Sequence, residues 1–163
     1  MAGASTVALS SVAADRTLVV DAADSEERLL EIPVDDGDEV ALEYMHSVER
    51  TPVEDVYVVD WPELRAERMV FHSHGAGLPT KNVERTDEGF VVEGTGTYEK
   101  LRVSPGSIAG HELVVNGERY DLVDRTDGNV VLSLIDANAR DALESRLETM
   151  FADHSYELID ISE

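Results

Sequence analysis

Two short segments hold the residue types that do chemistry. The first runs His46-Ser47-Val48-Glu49-Arg50-Thr51-Pro52-Val53-Glu54. Alternation along the strand entering it puts Val40, Leu42, Tyr44 and His46 on one face. Alternation along the strand leaving it puts Glu54, Val56 and Val58 on one face, while Val53, Tyr57 and Val59 occupy the other. An antiparallel hairpin with loop 47–53 would set His46 directly opposite Glu54 on a largely apolar face. Such a pair has two readings. In one, Glu54 satisfies the imidazole and pins the hairpin register. In the other, the pair lines a pocket, and Ser47, Glu49 and Arg50 present hydroxyl, carboxylate and guanidinium groups to a small polar ligand.

The second segment runs Phe71-His72-Ser73-His74-Gly75-Ala76-Gly77-Leu78-Pro79. On a regular strand His72 and His74 point the same way, and a His-x-His pair can hold zinc. A third ligand should follow within a few residues, but the next carboxylate is Glu84. A metal-dependent enzyme would need His46 with His72 and His74, and Glu49 or Glu54 as base. Gly75 and Gly77 free the backbone for close approach. The glycines do not match G-x-G-x-x-G and no helix pattern follows them, so a dinucleotide cradle is not expected. The absence of Cys excludes a thiol nucleophile, a disulfide framework and a Cys-type zinc site. No G-x-S-x-G elbow occurs either. The residues alone read as an acidic β-domain with a polar pocket where the two segments meet; the candidate binding residues are His46, Ser47, Glu49, Arg50, Glu54, Gly75 and Gly77, and neither a metal nor a cofactor nor an enzymatic role is expected.

The elements that must position these residues read as strands. Asp35-Asp36-Gly37-Asp38, Asn116-Gly117 and Asp127-Gly128-Asn129 separate runs rich in Val, Ile, Leu and Tyr. Asn-Gly between apolar runs predicts a two-residue hairpin. Strands are expected at 17–21, 28–33, 39–47, 53–60, 64–74, 89–94, 98–104, 111–115, 118–123 and 129–135. The fold class is therefore all-β, a mainly antiparallel sandwich or barrel, with one C-terminal α-helix at 138–152. In that helix Ala139, Ala142, Leu143, Leu147, Met150 and Phe151 recur at helical spacing. Ala2–Ala14 is a run of thirteen uncharged small or apolar residues, too short to span a bilayer. Residues 1–16 are expected to be a flexible leader or the remnant of an anchor, and 17–163 a single β-rich domain.

Charge narrows the partners. Lys and Arg number 13 against 35 Asp and Glu, a formal charge of −22, and Lys occurs only at Lys81 and Lys100. Nucleic acid and anionic membrane surfaces need clustered cations, so neither is expected. The composition reads as halophilic, since molar salt shortens the Debye length to about 3 Å and screens crowded carboxylates.

Read together, the two segments resemble a known family, the small domains catalogued as domain of unknown function 1850. The resemblance falls on His46, Ser47, Val48, Glu49, Pro52, Glu54, Gly75, Ala76, Gly77, Leu78 and Pro79, within about residues 38–80. The helix at 138–152 is not expected from the family's core. These domains resemble accessory proteins of tripartite ATP-independent periplasmic (TRAP) transporters whose solute receptor is of the TAXI type. The resemblance implies a transporter membrane subunit or solute receptor as partner. It also implies an extracytoplasmic or membrane-associated location and a part in uptake of a small solute such as a carboxylate.

Overall fold

The computed structural model describes residues 14–25, 27–73 and 77–137. Twelve strands lie among them: β1 (Arg16–Ala22), β2 (Arg28–Val34), β3 (Glu39–Met45), β4 (Pro52–Asp60), β5 (Glu63–Phe71), β6 (Val83–Thr86), β7 (Gly89–Glu93), β8 (Thr97–Tyr98), β9 (Leu101–Val103), β10 (Glu112–Val115), β11 (Glu118–Asp121) and β12 (Val130–Asp136). They form two antiparallel sheets. The smaller has the order β2-β1-β12-β9. The larger has the order β11-β10-β3-β4-β5-β7-β6, with β8 on a further stretch of β5.

The alternation that marks these strands also builds the core. Leu18 and Val20, Ile32 and Val34, and Leu132 and Leu134 of the smaller sheet are buried in one cluster with Val40, Leu42, Val59, Leu64, Leu113 and Val115 of the larger. Each fully buried Leu or Val contributes about 1.5–3 kcal/mol. Asn116 and Gly117 both take positive φ, 52° and 81°, between the paired Val115 and Glu118. This is the expected two-residue hairpin, with the left-handed geometry that Asn-Gly adopts at least cost.

Some boundaries differ from expectation. The strands expected at 39–47 and 64–74 end at Met45 and Phe71. The strand expected at 98–104 is two strands on different sheets, β8 on β5 and β9 on β12. β6 was not expected, because Val-Glu-Arg-Thr has no apolar alternation; it is held by pairing with β7. The expected helix at 138–152 and residues 1–13 of the expected leader lie outside the described residues.

A bulge in β5 shapes the region below. Val56 pairs with Arg68 but Tyr57 pairs with Ala66, so Glu67 is the extra residue. Gly94 packs onto this point and donates its N–H to the Glu67 carbonyl at 2.9 Å. A Cβ at Gly94 would lie 2.7 Å from the Ala66 carbonyl carbon, so a glycine is required there.

Candidate functional site

His46 to Thr51 join β3 to β4. His46 N–H donates to the Thr51 carbonyl at 2.9 Å, and Arg50 N–H donates to the His46 carbonyl at 3.0 Å. Arg50 closes the turn with φ 53°, a left-handed conformation unusual for a residue other than Gly or Asn. The His46 ring serves the same turn, its Nδ1 accepting from Glu49 N–H at 3.2 Å. Ser47, Val48, Glu49 and Arg50 are exposed at the tip.

This turn overturns the expected His46–Glu54 pair. Pairing begins at Met45 with Pro52, so Glu54 stands opposite Glu43 and not His46. The register differs from the expected one by three residues, and an odd shift moves a side chain to the other face of the sheet. Glu54 lies away from the core-facing stripe of Leu42 and Tyr44. Burial pushes its carboxyl above the ordinary range, and Glu43 adds to the effect while Arg68 opposes it. Glu43 itself accepts from Arg119, which also bonds Glu112 at 2.7 Å.

The two chemically marked segments do meet. Thr51 Oγ1 and Ser73 Oγ are 2.8 Å apart, and His72 Nδ1 lies 3.3 Å from the Pro52 carbonyl. Gly77 is exposed, with φ 93° and open space where a Cβ would be. His74 and Gly75 lie outside the described residues. Among the described residues no three His, Asp or Glu side chains gather as a metal site.

A different group of side chains occupies the concave part of this surface. β3 and β4 present Tyr44, Asp55 and Tyr57 on the face that also carries Leu42 and Val59, and Asp55 pairs across the strands with Leu42 and Met69. Asp55 and Tyr57 border two adjoining hollows. One, of about 210 Å³, is lined also by Tyr44, Arg102 and His111. The other, of about 330 Å³, is lined also by Ala66, Met69, Pro79 and Tyr98. The β5 bulge puts Ala66 and Met69 on one lining despite their odd spacing. Pro79 brings the end of the second segment to the same place.

The rings are well fixed. Tyr44 stacks on His111 with centroids 4.8 Å apart and planes 14° from parallel. His111 Nδ1 accepts from Gly106 N–H at 3.2 Å, and Met45 N–H donates to the Ala109 carbonyl at 2.7 Å, tying the β9–β10 loop to the end of β3. Tyr57 and Tyr98 meet edge to face, 6.0 Å apart at 81°.

The electrostatics centre on Asp55. Burial pushes its carboxyl above the ordinary aspartate value, and a hydrogen bond from Tyr44 opposes the shift. Burial, Asp55 and Tyr98 together push the Tyr57 phenol up to about 12. Burial and Asp55 push Tyr44 higher still. Burial holds the His111 imidazole below its ordinary value, so it is neutral at pH 7. The group can accept hydrogen bonds, pair with a positive charge and present aromatic faces. None of Tyr44, Asp55, Tyr57, Tyr98 or His111 was among the residues expected from sequence. The signal available was the shared parity of Val53, Asp55, Tyr57 and Val59 with the face opposite Glu54.

No curated protein and no solved structure gave a match to this chain. The model of the family described as a domain of unknown function, DUF1850, matches residues 40–122. That span holds β4 to β11 and nearly all of β3, with both marked segments and the residues around Asp55, but none of β1, β2 or β12. The match covers more than half of the 163 residues, and the chain belongs to the DUF1850 family.

Proposed function

We propose that this domain is a non-enzymatic accessory module that binds a small polar ligand over Asp55 and serves a TRAP-type solute transporter. The observation that carries the binding half is the half-buried Asp55 carboxylate at the junction of two hollows. A carboxylate in the middle of a central strand, on the core-facing side, is costly to bury and is a mark of function rather than of packing. The transporter half rests on the resemblance of the two marked segments to accessory domains of TAXI-type systems.

The turn of Ser47, Val48, Glu49 and Arg50 then serves as the surface offered to a transporter subunit. Val48 is 68% exposed at its tip, and Ile108 is 84% exposed on the β9–β10 loop that is bonded to the end of β3. The experiment is co-purification with a co-expressed TRAP-type membrane permease, with and without Val48→Asp and Ile108→Asp. Specific retention lost in the double variant supports the transporter role. Equal retention of both proteins, or none of either, removes it. A saturable ligand-induced rise in Tm that disappears in Asp55→Asn supports the binding role.

A further inference from the structure

The geometry points to an organic cation, a primary or methylated ammonium compound, as the ligand class of the hollow between Asp55, Tyr57 and Tyr98. The inference deepens the ligand-binding reading above and rests on it.

Three features select a cation. First, Asp55 has no cationic partner among the described residues. Arg68, the guanidinium on the same hollow, is already held by Glu39 through bonds of 2.7 and 3.3 Å. A partly desolvated carboxylate without a counter-charge is unfavourable, and a bound ammonium offsets that cost. Second, Tyr57 and Tyr98 stand nearly perpendicular, so two aromatic surfaces meet at a corner beside the carboxylate. Aromatic faces attract ammonium groups, with the largest effect where water is partly excluded. Third, apart from Arg68 and the acidic Glu93, the remaining lining is uncharged: Ala66, Met69, Val92 and Pro79 suit methyl and methylene groups. An anionic solute would set its charge against Asp55 and the acidic Glu93 at the rim.

The test is isothermal titration calorimetry of the full chain in molar NaCl, with choline, butylamine, butyrate and 3,3-dimethylbutan-1-ol as probes. The last is the neutral isostere of choline, so the pair isolates charge. Choline or butylamine should bind at least tenfold more tightly than the neutral isostere, with butyrate silent. Asp55→Asn should lose at least tenfold in affinity while melting cooperatively. Tyr98→Ala, at a 37% exposed position on the two-residue β8, should weaken binding of choline with little effect on the fold. If butyrate or the neutral isostere binds as well as choline and Asp55→Asn abolishes that binding, the cation assignment fails and the ligand-binding reading stands. If none of the four probes gives a saturable signal, the cation assignment is overturned. The ligand-binding reading fails with it only if a broad panel of small polar solutes also leaves Tm unmoved. A lipid headgroup carries the same quaternary ammonium, and co-flotation with phosphatidylcholine vesicles separates that source from free choline.

Discussion

Glu43 and Glu54 stand directly opposite each other on β3 and β4, two carboxylates side by side on the sheet face turned away from Tyr44 and Asp55. Arg119 covers Glu43, while Arg68 is shared between Glu39 and Glu54. Glu54 is thus a strained member of an acidic row, and its raised carboxyl follows from burial and from Glu43. A raised folded-state value means that the proton stabilises the fold. Its contribution is full below the ordinary value of 4.5 and is lost as pH rises through the folded value. Glu54→Gln should therefore raise stability at pH 7 by about 0.5 kcal/mol, roughly 1–2 °C in Tm. Thermal melts at pH 7 and pH 3.5 check this, and a drop in Tm at pH 7 would refute it.

Asp55 obeys the same sign, with burial again the cause, no neighbouring carboxylate among the described residues adding to it and Tyr44 opposing. Asp55→Asn should raise Tm at neutral pH and show no gain below pH 3.8, the ordinary value. Tyr44→Phe should do the reverse at neutral pH, lowering Tm, because it removes the phenol that favours the ionised Asp55 carboxylate. If Asp55→Asn destabilises at every pH, the carboxylate is making a bond to a partner other than Tyr44.

The reading of β4 shows where sequence reasoning ends. The Asn116-Gly117 hairpin was legible because that dipeptide supplies both left-handed positions. The β3–β4 turn was not, because Arg50 takes the left-handed position and carries no such signature. With the turn misplaced, the register shifted by three residues and put Glu54, in place of Asp55, on the face of Leu42 and Tyr44. The apolar pattern could not correct the error, since Val53, Val56 and Val59 are all buried, two on one face and one on the other. His111 was invisible for another reason. It reaches Tyr44 only through the path of the β9–β10 loop, and no local spacing encodes that path. The meeting of the two marked segments is carried, among the described residues, by Thr51 with Ser73 and by His72 with the Pro52 carbonyl, contacts that no local spacing announces.

That Thr51–Ser73 contact should hold the turn against the end of β5. A single hydroxyl pair of this kind is worth about 1 kcal/mol. Thr51→Val and Ser73→Ala should each cost about that much, and the double variant should cost little more than either alone. A double-mutant cycle in denaturant melts measures the coupling, expected at about 0.5–1 kcal/mol. Purely additive losses would mean that the two hydroxyls do not depend on each other.

His111 gives the pH response on the acid side. Burial depresses its folded-state value below 6.5, so the unfolded chain binds the proton more readily. The stability it contributes is present above pH 6.5 and lost as pH falls through the folded value. His111→Asn keeps an acceptor for Gly106 N–H but cannot titrate. It should flatten the fall in Tm just below pH 6.5 relative to the parent chain, while weakening the stack on Tyr44. An unchanged slope would place the titration elsewhere.

Salt dependence tests the charge balance as a whole. The chain carries −22, and the described ion pairs, such as Arg28–Asp21, Arg68–Glu39 and Arg119–Glu43, draw on few cations relative to the carboxylates. Exposed pairs of this kind contribute about 0–1 kcal/mol each, so they cannot offset the repulsion among the unpaired acids. Screening can. At about 0.1 M salt the Debye length is about 10 Å, long enough for neighbouring carboxylates on one sheet face to repel. At about 1 M it is about 3 Å and the repulsion is confined to contacts. Cooperative folding is therefore expected in molar KCl or NaCl, with loss of structure below a few hundred millimolar. Circular-dichroism melts from about 0.1 to 3 M KCl follow the transition. Replacing five exposed acids outside the Asp55 region, Glu27, Asp36, Glu84, Asp87 and Asp124, with their amides should lower the salt needed at the midpoint. A Tm independent of salt in both proteins would show that the acidic surface does not govern folding.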